Sequence, residues 1–233
     1  MFKNYLKTAW RNLLKNKTFS LINVMGLAFG MTCSLMIMLW LKDELRMDRF
    51  HANDARLYRV MENQFYAGSV NTYASTPGIL AENIVKDIPE IKMASQFLWE
   101  EEPLFTVGDK FDKEKGRYTQ KDFLKMFSYK LEKGSAASAL ERPDAIVISK
   151  KLADKYFKGT DPMGKTIRID SRTNVQVTGV LAELPKESSI KFDFLMNYDV
   201  WWKQNDWAKE WGNNGPRWYV LLGEEAGIDK VNA

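Results

Sequence analysis

The rhythm of hydrophobic and polar positions changes twice along the chain. In residues 1–18, Phe2, Tyr5, Leu6, Ala9, Trp10, Leu13 and Leu14 recur mostly every three or four positions, while Lys3, Lys7, Arg11 and Lys15 recur every four on another face. That spacing predicts an amphipathic helix lying at a membrane interface, its basic side toward lipid phosphates. An ordinary surface helix shows the same pattern, but too little chain precedes the next segment to build a core for it. Residues 19–41 then read FSLINVMGLAFGMTCSLMIMLWL, 23 positions without a charge or a histidine. As a helix they span about 34 Å, slightly more than a hydrocarbon core of ~30 Å. The ten Leu, Ile, Phe and Val residues among them favour insertion by roughly 3–6 kcal/mol, less what Asn23, Ser20 and Ser34 subtract. The run exceeds the ~7–15 apolar residues of a cleaved signal, and no A-x-A site follows, so it reads as an anchor.

Beyond residue 42 the pattern shortens and mixes. Strand composition marks 57–66, 93–99, 104–107, 145–148, 166–170, 175–184, 192–197 and 218–222. Helical signals mark 77–88, with Thr76 as N-cap and Pro77 at the first position, then 121–127, and a helix capped by Ser149 and running to Phe157. The charged stretch 108–116 reads as a solvated turn. Strands and helices alternate without regular βαβ spacing, so the class is α+β: an amphipathic helix and one transmembrane helix, followed by a mixed extracytoplasmic domain. The predicted divisions are 1–18, 19–41 and 42–233. The closing EEAGIDKVNA resembles the opening of another helix, so the domain is expected to be incomplete at its C-terminus, as in a piece of a longer protein.

Charge adds one distinction. The formal net charge is +4, and residues 1–18 contribute five basic residues and no acid. The remainder therefore sums to −1, and no case for nucleic acid follows. Residues 42–59 also hold five Lys and Arg, so the basic count is tied across the span and leaves the orientation open. The single cysteine, Cys33, lies inside the span, so the domain has neither a disulfide nor a catalytic thiol.

Candidate chemistry is sparse. Residues 159–166 (GTDPMGKT) match the literal pattern of a phosphate-binding loop, but that loop needs a strand before it and a helix after it. Here the order is reversed and Pro162 removes an N–H, so a tight turn is the better interpretation. His51, the only histidine, sits among charges and is expected at a surface or turn. Glu100, Glu101 and Glu102 are consecutive and diverge in a strand, so they form no acid–base pair. No catalytic, metal or cofactor site is expected. Gly26 and Gly30 form a G-x-x-x-G pair that could face another membrane helix, although glycine is frequent in such helices anyway. Trp201, Trp202, Trp207, Trp211 and Trp218 cluster in sequence, either filling a core or interface or contacting a ligand.

Several segments together carry a family resemblance. FKNYLKTAWRNLLKNKTFSLINVMGLAFGM, DRFHANDARLYRV, TPGILAENIVKDIPEI, the stretch from YTQKDFLKMF to GKTIRID, and VTGVLAELPKESSIKFDFLMNYD resemble, in order, the start of MacB/FtsX-type ABC transporter permeases. The resemblance implies a first membrane helix plus a MacB-like periplasmic core domain. It also implies a cytoplasmic N-terminus in the bacterial inner membrane and a main domain that is periplasmic or extracellular. A separate ABC ATPase subunit, a second permease half or copy, and membrane lipid would be the partners. The chain itself would not be an enzyme, because ATP hydrolysis falls to the other subunit. Family permeases continue with further membrane helices absent from this sequence. The rival function is a single-pass anchored binding or sensor module.

Overall fold

The computed structural model describes residues 1–232, apart from the side chains of Phe2, Ala81 and Glu82. Phe2, placed above on the apolar face of the first helix, therefore has a side chain outside the described residues. Two compact units divide the chain at Met47 and Asp48.

The first unit is two helices, α1 (Phe2–Lys15) and α2 (Lys17–Glu44), broken at Asn16. The hydroxyl of Ser20 spans the break by donating to Leu13 O at 2.9 Å. No residue of α2 is buried, and α2 is long and apolar enough to cross a membrane. Its 28 residues give a length of about 42 Å. Thr32 and Ser34 donate to the carbonyls of Ala28 and Gly30 at 2.8 and 2.9 Å. Those bonds satisfy both hydroxyls within the helix, as an apolar solvent requires.

The second unit is built on a long mixed sheet. It opens with β1 (Leu57–Val60), followed by β2 (Glu62–Tyr66) and β3 (Ser69–Tyr73), which form a separate antiparallel hairpin. The predicted single strand over 57–66 is thus two strands in different sheets. Ala67 and Gly68 turn the hairpin with φ of 48° and 81°, the left-handed pair that a two-residue hairpin turn needs. Helix α3 (Leu80–Asp87) starts later than Pro77 and has no side-chain cap. The reason is tertiary. Thr76 N donates to Pro216 O at 3.0 Å, and Pro77 bridges Asn214, so this backbone belongs to a sheet margin.

Strand β4 (Ile91–Phe97) leads to β5 (Leu104–Val107) and β6 (Lys110–Lys113), a hairpin across Gly108 whose second arm is wholly exposed. The stretch expected to be a solvated turn is therefore mostly strand. After β7 (Gly116–Thr119) come α4 (Phe123–Met126), β8 (Leu131–Lys133) and β9 (Ala145–Ser149). Ser149 then caps α5 (Lys150–Phe157), its Oγ accepting from Leu152 N at 3.3 Å. The chain continues through β10 (Thr166–Ile169), β11 (Thr173–Leu181), β12 (Phe194–Asn197), α6 (Tyr198–Trp202), β13 (Arg217–Leu222) and α7 (Ile228–Val231).

The sheet order is β1-β13-β4-β7-β12-β9-β11-β10-β5-β6, with β8 on the far half of β11. β9 runs parallel to β11 and β7 parallel to β12, while the other pairs are antiparallel. The class is α+β. The central strands β9 and β12 are buried on both faces. Ile146, Ile148, Phe194 and Met196 enter one core with α5, and Val147 and Leu195 enter the opposite core with α4. Two-sided burial is why AIVI and FLM read as unbroken apolar runs. A third core, under α3, holds Ile91, Trp218 and Val220.

Candidate functional site

Where the chain enters the domain, residues 48–53 are pinned by bonds to distant loops. Asp48 has φ of 60°, a left-handed turn that Asp tolerates better than most residues. Its N–H donates to Glu187 O at 2.9 Å. Its carboxylate accepts from Ser189 N at 2.8 Å and from the Ser189 hydroxyl. Ala52 N donates to Ser128 Oγ at 2.8 Å, and Asn53 Nδ2 to Met126 O at 3.1 Å.

His51 lies in a turn, one of the two places expected for it, but it is buried there rather than at the surface. Its Nδ1 accepts from Ser128 N at 3.1 Å, and its ring packs among Phe50, Phe127 and Tyr129. Burial lowers its pKa from 6.5, against the opposing pull of Asp48 and Asp54. Because Nδ1 is an acceptor, the neutral ring is the form that fits. The segment lines a surface cavity of about 370 Å³ together with Phe127, Ile190 and Tyr219.

The five candidate tryptophans separate. Trp201 and Trp207 meet edge to face at 5.7 Å, and Trp99, not singled out from the sequence, joins Trp201 at 6.0 Å. Trp202 stacks obliquely on Tyr198, with ring centroids 5.6 Å apart. Trp218 belongs to the third core, where its Nε1 donates to Pro77 O at 3.0 Å. Strand alternation sends Trp218 there, and it shares a niche of about 40 Å³ with Trp202. Trp211 is 56% exposed and Trp207 42% exposed, so these two rings face solvent. Trp207 and Trp99 lie over Gly215, where a Cβ would sit 2.9 Å from the Trp207 ring. Gly26 and Gly30 present open space, with nothing within 4 Å of a Cβ at either position.

The phosphate-loop pattern is a turn. Gly164 N is committed to Val177 O at 2.8 Å, Lys165 N to Pro162 O at 3.0 Å, and Met163 N to Asp161 Oδ1 at 3.2 Å. No cradle of free N–H groups remains in it. Glu100 and Glu102 flank Lys115 at 3.3 and 3.0 Å, as alternate residues on one side of an extended chain do.

Asp112, Glu114, Lys155 and Tyr156, none of them singled out above, form a cluster. Buried Glu114 accepts from Lys155 Nζ at 2.5 Å and Tyr156 Oη at 2.6 Å, and Lys155 also reaches Asp112 at 2.7 Å. The bonds to Asp112 and Glu114 raise the Lys155 pKa, and burial raises that of Tyr156. Lys155 stays charged and Tyr156 stays protonated at neutral pH, so neither is a free base. The cluster ties α5 to the β5–β6 hairpin. One signal in the sequence pointed to it: Lys155 and Tyr156 sit in the last turn of a predictable helix.

Comparison with known proteins agrees with this architecture. The model of the MacB-like periplasmic core domain family matches residues 20–233. A crystal structure of a domain of a protein described as a permease, from Porphyromonas gingivalis, superposes with a TM-score of 0.64 at 25% identity, covering 78% of each chain. The periplasmic region of MacB from Actinobacillus actinomycetemcomitans gives a TM-score of 0.52 at 14% identity, covering 68% of this chain and 70% of that one. The extracellular domain of the noncanonic ABC-type transporter YknZ from Gram-positive bacteria gives 0.51 at 16%, covering 75% and 86%. The last two likenesses are of fold. No curated protein sequence matches the chain.

Proposed function

This chain belongs to the MacB-like periplasmic core domain family, and we propose that it serves as a permease component of an ABC transporter, for export or mechanotransmission. In this reading residues 1–18 lie at the membrane interface with the N-terminus cytoplasmic. Residues 19–41 cross the bacterial inner membrane, and residues 42–233 form the extracytoplasmic substrate-handling domain. A separate ATPase inside and a second permease half or copy complete the machine. The face carrying Gly26 and Gly30 packs against another membrane helix, and the exposed rings of Trp207 and Trp211 are available to a partner or ligand.

The observation that carries the proposal is the junction. Helix α2 ends at Glu44, and from four residues later the chain is bonded to Glu187, Ser189, Ser128 and Met126. A displacement of the helix would enter the domain through those bonds rather than be lost in a slack linker. The α2 end joins a domain whose first ordered contacts reach loops on both sides of β9, which suits transmission better than tethering.

Co-purification tests the proposal. The full-length gene product in mild detergent should carry an ABC ATPase with it. Repeated recovery without one, together with a kinase or coiled coil downstream in the reading frame, would favour the anchored sensor.

A further inference from the structure

The niche between Trp202 and Trp218 is lined by two residues, Gln96 and Tyr198, that each carry a buried polar atom without a partner. It measures about 40 Å³ and is lined by Gly78, Gln96, Gln120, Tyr198, Trp202 and Trp218, among others. Gln96 and Tyr198 are each 2% exposed. The Gln96 carboxamide is oriented by its Nε2, which donates to Gly78 O at 3.1 Å. Its Oε1 is buried with no hydrogen bond, and Tyr198 Oη has none either. Gln96 lies close enough to act on the Tyr198 hydroxyl as a hydrogen-bonding neighbour, opposing the larger rise that burial gives its pKa, yet neither Tyr198 Oη nor Gln96 Oε1 has a partner at full hydrogen-bond geometry. Tyr198 cannot swing away. Its ring is held between Trp201 and Trp202 at 5.3 and 5.6 Å, and Asn197 fixes the start of α6 by accepting from Asp199 N and donating to Leu140 O.

Buried polar atoms are nearly always satisfied, and a space of this size is large enough to admit a water or a hydroxyl group. The valences specify the occupant. Gln96 Oε1 can only accept, and Tyr198 Oη has a proton to give. A group that accepts from Tyr198 and donates to Gln96 closes both at once. A hydroxyl does this. A carboxylate has no proton for Gln96, and an ammonium leaves the Tyr198 proton unplaced.

We propose that this niche is a binding site for a single hydroxyl group, bridging Tyr198 Oη and Gln96 Oε1. Its two possible sources are solvent water and the hydroxyl of a small organic ligand whose remainder lies along half-buried Trp202. The site is defined by its own atoms and does not depend on the permease assignment.

Thermal unfolding of the full chain in detergent tests it, with Tyr198→Phe against the parent. Tyr198 Oη has no protein partner, so its removal costs stability only if a bound group is lost with it. The expected result is a midpoint lower by roughly 2–4 °C, and an unchanged or raised midpoint overturns the proposal. A high-resolution crystal structure of the full chain identifies the source. One solvent oxygen within about 3.2 Å of both atoms assigns the group to water. Density for a carbon-bearing molecule with its hydroxyl there assigns it to an organic ligand. An empty niche, a bound cation, or a direct Tyr198–Gln96 bond overturns it.

Discussion

The apolar run of α2 and the apolar runs of β9 and β12 have similar composition and opposite surroundings. Val147, Phe194 and Leu195 are fully buried within the chain, each strand feeding both faces of the sheet. Leu21, Leu27, Phe29 and Ile37 of α2 are all largely exposed, and no residue of that helix is buried. The strands have found their apolar solvent among neighbouring side chains. Helix α2 has no such cover among the described residues, and in the proposed reading a bilayer, with a partner helix on the Gly26–Gly30 face, would supply it.

That contrast breaks most sharply in the sheet. Phe194→Ala removes a ring packed on Phe105 at 4.9 Å and covering Gly116, where a Cβ would collide with it. The expected loss is about 3–5 kcal/mol, read as a lower denaturation midpoint of the domain. The matching change in the helix, Leu27→Arg, should cost about 3 kcal/mol of membrane insertion and leave the unfolding midpoint of the domain unchanged. A domain destabilised by Leu27→Arg would mean that α2 packs on it, and the comparison would fail.

Acid sharpens the same boundary at the junction. The His51 pKa is lowered in the folded protein by burial, so the unfolded chain binds the extra proton first. Stability is therefore full above the ordinary histidine value of 6.5 and falls as pH drops through it, until the folded ring is protonated too. Urea unfolding across that range should show the slope, and His51→Gln should flatten it. The smallest effect is local. Ser149→Ala removes the α5 cap and should cost about 1 kcal/mol without moving the pH dependence.

Much of this architecture was legible in the residues, and the failures share a cause. Helix α2, the Ser149-capped α5 and strand β9 carry their signals locally, as a charge-free run, a cap or an apolar block. Strand β3, the second arm of its hairpin, and β6 do not. Their residues are polar or exposed, so pairing rather than burial makes them strands, and no alternation betrays it. Thr76 has the chemistry of a cap, but a long-range bond to Pro216 claims its backbone. His51 lies among charges in sequence and beneath Phe127 and Tyr129 in space, some 75 residues away in the chain. The tryptophans fell apart for the converse reason. Nearness along the chain says nothing about which face of β13 Trp218 occupies.

The central claim is that α2 crosses a membrane and holds the domain outside. Epitope tags at Met1 and in the exposed Ala67–Gly68 turn test it, with protease added to spheroplasts expressing the chain. The second position is chosen because Asp48–Asn53 is bonded into the domain and would not accept an insertion. The account predicts that the turn tag is lost while the Met1 tag is protected. Protection of the turn tag with loss of the Met1 tag, or protection of both, would contradict it.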